Sequence, residues 1–233
     1  MGTNMKIMRC LLFSSLAILF CLPALAQQTD INRYTLFTGF DYLISPARNL
    51  SERGFEGDFG VTAKPWLGLG VDFSAIGDNV ISGAGDINVS ETSFAPILTA
   101  HGIPLSLVPP VPFRSSTYVI AAGPQFYLRK FERVTFLVRP GFGAIHEVAD
   151  LNLTQVAPVF GLLGIPAPSS HQTDTQWFIG AGGGFDLNLS RPVGWRFATD
   201  YVNTHLFSNL LTKRQNYWRF STGPTFRFGH LSR

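Results

Sequence analysis

Residues 217–228 read Tyr-Trp-Arg-Phe-Ser-Thr-Gly-Pro-Thr-Phe-Arg-Phe, and the order of side chains in this stretch decides the fold. Trp218, Phe220, Thr222, Pro224, Phe226 and Phe228 fall on one parity. Tyr217, Arg219, Ser221, Gly223, Thr225 and Arg227 fall on the other. Successive side chains of a strand point to opposite faces. The stretch is therefore a strand with one apolar face and one face that carries arginines among small residues.

The same alternation recurs over 34–44, 55–64, 67–76, 118–128, 134–145, 177–189 and 193–202. Together the eight apolar faces hold 46 positions, and none is Asp, Glu, Lys or Arg. The opposite faces hold 11 charges in 43 positions, together with twelve glycines. A soluble sandwich or barrel would bury the apolar faces and leave these glycine-rich faces in water. A membrane barrel reverses the arrangement: the apolar faces meet lipid, and the small and charged residues fill a cramped lumen. Segments of roughly ten residues are also the length at which a tilted strand crosses a bilayer. The expected fold is all-β, an eight-stranded antiparallel up-and-down transmembrane β-barrel.

The connections agree. Links 64–66, 129–133 and 190–192 are short, whereas 45–54, 77–116, 146–175 and 203–216 are long. This is the pattern of short periplasmic turns and longer external loops, with both chain ends in the periplasm. Tyr42, Tyr118, Trp177, Tyr201 and Trp218 fall at the external strand ends, and Tyr34, Trp66, Trp195 and Phe228 at the periplasmic ends, as two interface belts. Pro124, Pro140 and Pro224 interrupt apolar faces beside glycine, and are expected to mark bulges or kinks that help a small barrel curve.

Composition narrows the function classes. The chain has 233 residues, 45% hydrophobic and 14% charged, with 23 Gly, 15 Pro and 21 Phe. That is too apolar for a disordered chain and too rich in Gly, Pro and aromatics for a helical bundle. Residues 1–26 are expected to be a cleavable signal peptide: Lys6 and Arg9, an apolar run from Leu11 to Leu22, then Ala24 and Ala26. Both cysteines, Cys10 and Cys21, lie in it, so the barrel domain, 27–233, is held without disulfides. A net charge of +3 with no basic stripe speaks against nucleic acid.

The inward charges are the candidate site. Asp41, Glu56, Asp58, Asp72, Asp186 and Asp200 face Lys64, Arg139, Arg196, Arg219 and Arg227. Closing the last strand on the first brings Arg219 beside Asp41 with Asp200 across from it, while Arg196 and Asp186 lie level on neighbouring strands. Buried ions must pair, because an isolated one costs several kcal/mol. Such a network is either a salt-bridged plug or the gate of a narrow solute path. The long loops are apolar over 94–113 and 151–168, as a packed cap or as an entry for hydrophobic solutes.

The signal segment, the eight alternating segments and the ending Gln215–Gly229 resemble small outer-membrane β-barrel proteins, the OmpA-like and opacity-like barrels of Gram-negative bacteria. The resemblance covers residues 30–230. It implies residence in the outer membrane among its lipids and lipopolysaccharide, insertion by the barrel-assembly machinery, and a monomer without cofactor or bound metal. The end departs from the family's export signal: Phe228 is followed by Gly-His-Leu-Ser-Arg rather than closing the chain. The expected architecture is the barrel alone, without a peptidoglycan-binding domain. Some related barrels deacylate lipid A with a His-x-Ser pair, but His205 and Ser208 are three apart, so a strand would aim them at opposite faces. The reading is a non-enzymatic barrel with a structural, envelope-integrity or surface-interaction role. The alternative is a small pore for small or hydrophobic solutes.

Overall fold

The computed structural model describes residues 31–231. The expected signal peptide, 1–26, lies outside the described residues. Nine strands close in a ring: β1 (Asn32–Ser45), β2 (Leu50–Lys64), β3 (Leu67–Gly77), β4 (Ser82–Ile87), β5 (Val111–Leu128), β6 (Val134–Leu151), β7 (His171–Asn188), β8 (Val193–Thr204) and β9 (Gln215–His230). Every pairing is antiparallel, and β9 closes on β1. The sheet is up-and-down, and its closure leaves no free edge to pair with another chain.

The count of nine corrects the expected eight, and the register shows why. β4 pairs with β2 through Ser51↔Ala84 and with β5 through Ala84↔Arg114. Below it, β3 pairs with the same two strands through Gly54↔Ile76 and Gly77↔Ser116. β4 therefore resumes the slot of β3 after an excursion over 78–81. The break falls at Gly77, whose φ of +113° lies where an L side chain is strained. A Cβ there would also stand 2.4 Å from the Ser115 carbonyl oxygen.

The long strands also outrun the expected segments. β5, β6 and β7 have 18 residues each. About 9–11 residues would suffice to cross a hydrocarbon layer, and these strands exceed that length at the long-loop end. The first long link shrinks accordingly from 45–54 to a four-residue connection, 46–49, built on the 3₁₀ turn Pro46–Arg48. Two short helices, α1 (Ala95–Ala100) and α2 (Ala157–Leu163), belong to the loops. Among the described residues no helix is long and apolar enough to cross a membrane.

The prolines do not make bulges. Between β5 and β6 the pairs Ala122↔Phe142 and Phe126↔Val138 share one register, with Pro124 opposite Pro140 in the unpaired interval. Between β9 and β1 the same holds around Pro224, from Phe40↔Thr222 to Phe37↔Thr225. A proline has no N–H to give the ladder, so hydrogen bonds are lost there without a slip of register. Gly223 and Gly39 beside the second gap let the strands close up: a Cβ on either would come within 2.3 Å of a carbonyl oxygen on the other strand. Among the described residues the one register shift lies between β2 and β3, at Thr62/Lys64.

Outside the ring, Phe40, Phe59, Val71, Phe73, Val138 and Phe142 are exposed members of a circumferential apolar band. Exposed Arg53, opposite Tyr42, marks its upper limit on β2. Tyr42, Tyr118, Trp177, Tyr201 and Trp218 lie towards the long-loop end, and Tyr201 packs on Trp218 at 5.0 Å. Tyr34, Trp66, Trp195 and Phe228 lie towards the short-turn end, where Tyr34 stacks between Phe59 and Phe228. Inside, Phe37, Leu137 and Tyr127 are buried among the charges, and a larger apolar cluster fills the loops above.

Candidate functional site

The lumen is filled by two joined tiers of ion pairs. In the tier nearer the short turns, Arg196 on β8 reaches Asp186 on β7 through Nε at 2.7 Å and Asp58 on β2 through Nη1 at 3.1 Å. Arg227 on β9 holds the other side of Asp186 at 3.0 Å. Gln125 donates to Asp58 at 2.8 Å and accepts from the Tyr127 hydroxyl. Phe37 packs beneath the Arg196 guanidinium, 5.3 Å from its ring centre.

In the tier nearer the long loops, Arg139 on β6 makes a two-pronged contact with Asp200 on β8, at 2.8 and 2.5 Å, and donates to Glu56 on β2 at 2.9 Å. Its Nη1 lies 3.5 Å from Asp58, which ties the tiers together. Arg219 on β9 donates to Asp72 at 2.7 Å, Ser74 at 3.0 Å and Asp200 at 3.1 Å. Two guanidiniums thus span the lumen from wall to wall. Asp41 is fully buried with neither carboxylate oxygen hydrogen-bonded, and its contact with Arg219 is a looser 3.8 Å.

The structure brings together ten of the eleven inward charges expected from alternation. Lys64 is the exception. The register shift at the end of β2 turns it outward, where it is exposed over the Trp66 ring at 5.9 Å. The lumen therefore holds six carboxylates against four guanidiniums, not the near-balance that the sequence parity implies.

A third polar layer sits above the lumen, beyond the apolar band. Arg48, in the 3₁₀ turn between β1 and β2, grips Glu147 on β6 with two hydrogen bonds of 2.7 and 2.8 Å. The Tyr217 hydroxyl on β9 accepts from Arg48 and donates to Glu147 at 3.0 Å. Beside them Ser115 donates to Glu52 at 2.5 Å. Burial, reinforced by the nearby Glu147 charge, pushes the Glu52 carboxyl up to about 7. This cluster was missed because 45–54 and 146–175 read as loops. The signal was present: Glu52 continues the parity of Glu56 and Asp58, and Glu147 that of Arg139.

Over this layer lies the apolar cap, built from α1, α2 and the segment before β9. Phe94 and Phe160 meet edge to face at 5.1 Å. The cap encloses a small cavity walled by Ile87, Val89, Leu98, Val156, Phe160 and Leu210 among others. Asp174 pins the segment before β9 by accepting from the Phe207 amide at 2.5 Å, where Phe207 takes a φ of +51°. His205 meets the Leu211 carbonyl at 3.1 Å, and Ser208 stands exposed in the same turn.

No protein-family model matches the chain, and no curated protein matches its sequence. Solved structures do match in shape. Outer membrane protein OprG from Pseudomonas aeruginosa aligns with a TM-score of 0.53 at 12% identity, over 86% of this chain and 97% of its own. Neisserial surface protein A aligns with a TM-score of 0.51, also at 12% identity, over 84% and 97%. At such identities the likeness bears on fold. The chain shares the fold of small outer-membrane β-barrel proteins.

Proposed function

We propose that the chain is an integral outer-membrane barrel, with its short turns in the periplasm, whose lumen is closed and whose work is structural or done at its external surface. The observation that carries this is the Arg139 guanidinium, which reaches Asp200 on β8 and Glu56 on β2 across the barrel interior. With Arg219 and Arg196 it fills the axis with paired side chains, the usual state of an eight-slot ring. The uninterrupted apolar band and its flanking aromatics support residence in lipid. Lipopolysaccharide and phospholipid are then the surroundings and the barrel-assembly machinery the route of insertion. A closed ring without a free edge suits a monomer.

A second reading rests on the cap. Its cavity has no charged wall residue and lies among the long loops, which favours an apolar guest over an ion. In that reading the chain captures small hydrophobic molecules at the external face.

The main reading is tested by fractionation and gel migration. The mature chain should sediment with outer membranes and migrate differently before and after boiling. Recovery as a soluble periplasmic protein would contradict it.

A further inference from the structure

The two rims of the barrel differ in charge. At the short-turn end Arg33, Lys64, Arg129, Lys130, Arg133 and Arg191 stand partly or fully exposed, and Glu132 is the one acid beside them among the described residues. At the long-loop end exposed or half-exposed Arg53, Arg114, Lys213 and Arg214 are set against Asp78, Asp86, Glu91, Asp150 and Asp174. There two of the four cations are paired locally, Arg114 with Asp78 and Lys213 with Glu91, both at 3.5 Å, and the acids outnumber the bases. Lys64, Lys130 and Arg133 have no ion pair among the described residues.

The basic rim is also fixed in height. Arg33 lies over the Tyr34 ring at 5.8 Å and Lys64 over Trp66 at 5.9 Å, both belt aromatics. Arg129 instead turns inward over the buried Tyr127 at 4.3 Å and donates to the Pro65 carbonyl at 3.0 Å, which joins the β2–β3 turn to the β5–β6 turn. Exposed Lys64, Lys130 and Arg133 thus form one patch on two adjacent turns, while Arg33 and Arg191 carry the charge around the ring.

We infer that this rim binds the headgroups of anionic phospholipids in the periplasmic leaflet, an inference that rests on the outer-membrane reading above. The ligand chemistry follows from the arrangement. Cations stacked on interfacial aromatics sit at the level of phosphates, and their spread around the circumference fits a shell of lipids better than one docked polymer. Lysine and arginine close to an anionic lipid surface each contribute a favourable electrostatic interaction that salt screens. The patch on the β2–β3 and β5–β6 turns, with three exposed cations and Trp66 beside them, is the strongest part of the ring.

The test uses the full mature chain reconstituted in phosphatidylcholine vesicles, with insertion scored by heat-modifiable migration. Spin-labelled phosphatidylglycerol and spin-labelled phosphatidylcholine report the fraction of each lipid held at the barrel surface. The expected result is a preference for phosphatidylglycerol of roughly threefold or more at low salt, abolished by 1 M salt. In the triple variant Lys64→Gln/Lys130→Gln/Arg133→Gln the preference should fall towards one, and in Arg53→Gln/Arg114→Gln/Lys213→Gln it should persist. Equal association of both lipids with the wild-type barrel would overturn the inference, as would equal losses in the two variants. Binding of peptidoglycan sacculi that the rim variant loses, without any lipid preference, would assign the rim to the cell wall and overturn it too. Failure to insert into any vesicle would count against the membrane reading instead, so the two failures are distinguishable.

Discussion

Arg48 and Glu147, 99 residues apart in sequence, meet in a buried two-pronged ion pair across the long-loop mouth of the barrel. Arg48 hangs from the shortest long-end connection, and Glu147 stands on the opposite wall, in the part of β6 that rises above the apolar band. The pair ties a turn to the barrel wall where the backbone ladder cannot, since β1 and β6 are not neighbours. It also forms the floor of the apolar cap. Glu147→Ala should leave the guanidinium buried with Tyr217 as its remaining side-chain partner. A loss of about 3–5 kcal/mol is expected for a broken buried pair. Urea unfolding of the folded barrel in detergent measures it, and a loss below about 1 kcal/mol would show that the mouth opens to water.

Glu52 makes the same layer sensitive to pH. Its carboxyl is pushed up to about 7 by burial and by Glu147, while Ser115 as a hydrogen-bond donor and Arg48 as a charge pull it back. The closed cap thus binds a proton that the opened cap, with an ordinary carboxylate, releases. Its contribution to closure is fully present below about pH 4.5 and is lost as pH rises to about 7, a change of at most about 3 kcal/mol. Hydrogen exchange of the amides in 78–110 should quicken between pH 5 and pH 8 more than intrinsic chemistry requires. Glu52→Gln should remove the excess; an excess that survives in this variant would assign the effect to another group.

The proline gaps yield a steric prediction. A Cβ at Gly223 would stand 2.3 Å from the Thr38 carbonyl oxygen, against 3.8 Å from the nearest atom at Gly57. Gly223→Ala should therefore cost about 1–3 kcal/mol, as overpacking does, and Gly57→Ala close to nothing. Equal costs at the two positions, read from unfolding midpoints, would mean that the strands can separate at the gap.

These cases show how far the sequence could be read. Alternation assigned the faces because lipid, lumen and pleat all enforce a period of two, so Phe73 and Asp72 could be told apart by parity alone. Parity carries no information on where a strand ends. Glu52 and Glu147 were therefore assigned to loops, although each continues the inward face of its strand. β4 was hidden for another reason: six residues after a glycine turn are too few to stand out from a loop. Lys64 was misplaced by the register shift one step before it, which reverses facing without leaving a mark in the pattern. The proline gaps were seen as irregular sites, but the geometry needed coordinates, because a missing donor and a bulge look alike in sequence.

The band of exposed apolar side chains predicts its own mutational contrast. Phe73 sits near mid-height, opposite Gly57 and Ile120, and is 52% exposed; Leu162 on α2 is 88% exposed but lies in the cap. Phe73→Arg should cost about 2–4 kcal/mol in a bilayer, as cationic substitutions do at the membrane midplane. Leu162→Arg should be tolerated. The check is unfolding in phospholipid vesicles, and a harmless Phe73→Arg would mean that this face does not meet lipid.

The closed lumen is tested most directly by single-channel recording of the purified, refolded barrel in planar bilayers. Arg139 and Arg219 hold Asp200, Glu56 and Asp72 across the axis, so the wild-type protein should show no steady conductance. The variant Arg139→Ala/Arg219→Ala, if it folds to a heat-modifiable band, should admit cations through the carboxylates left behind. A large, reproducible conductance from the wild-type barrel would contradict the account.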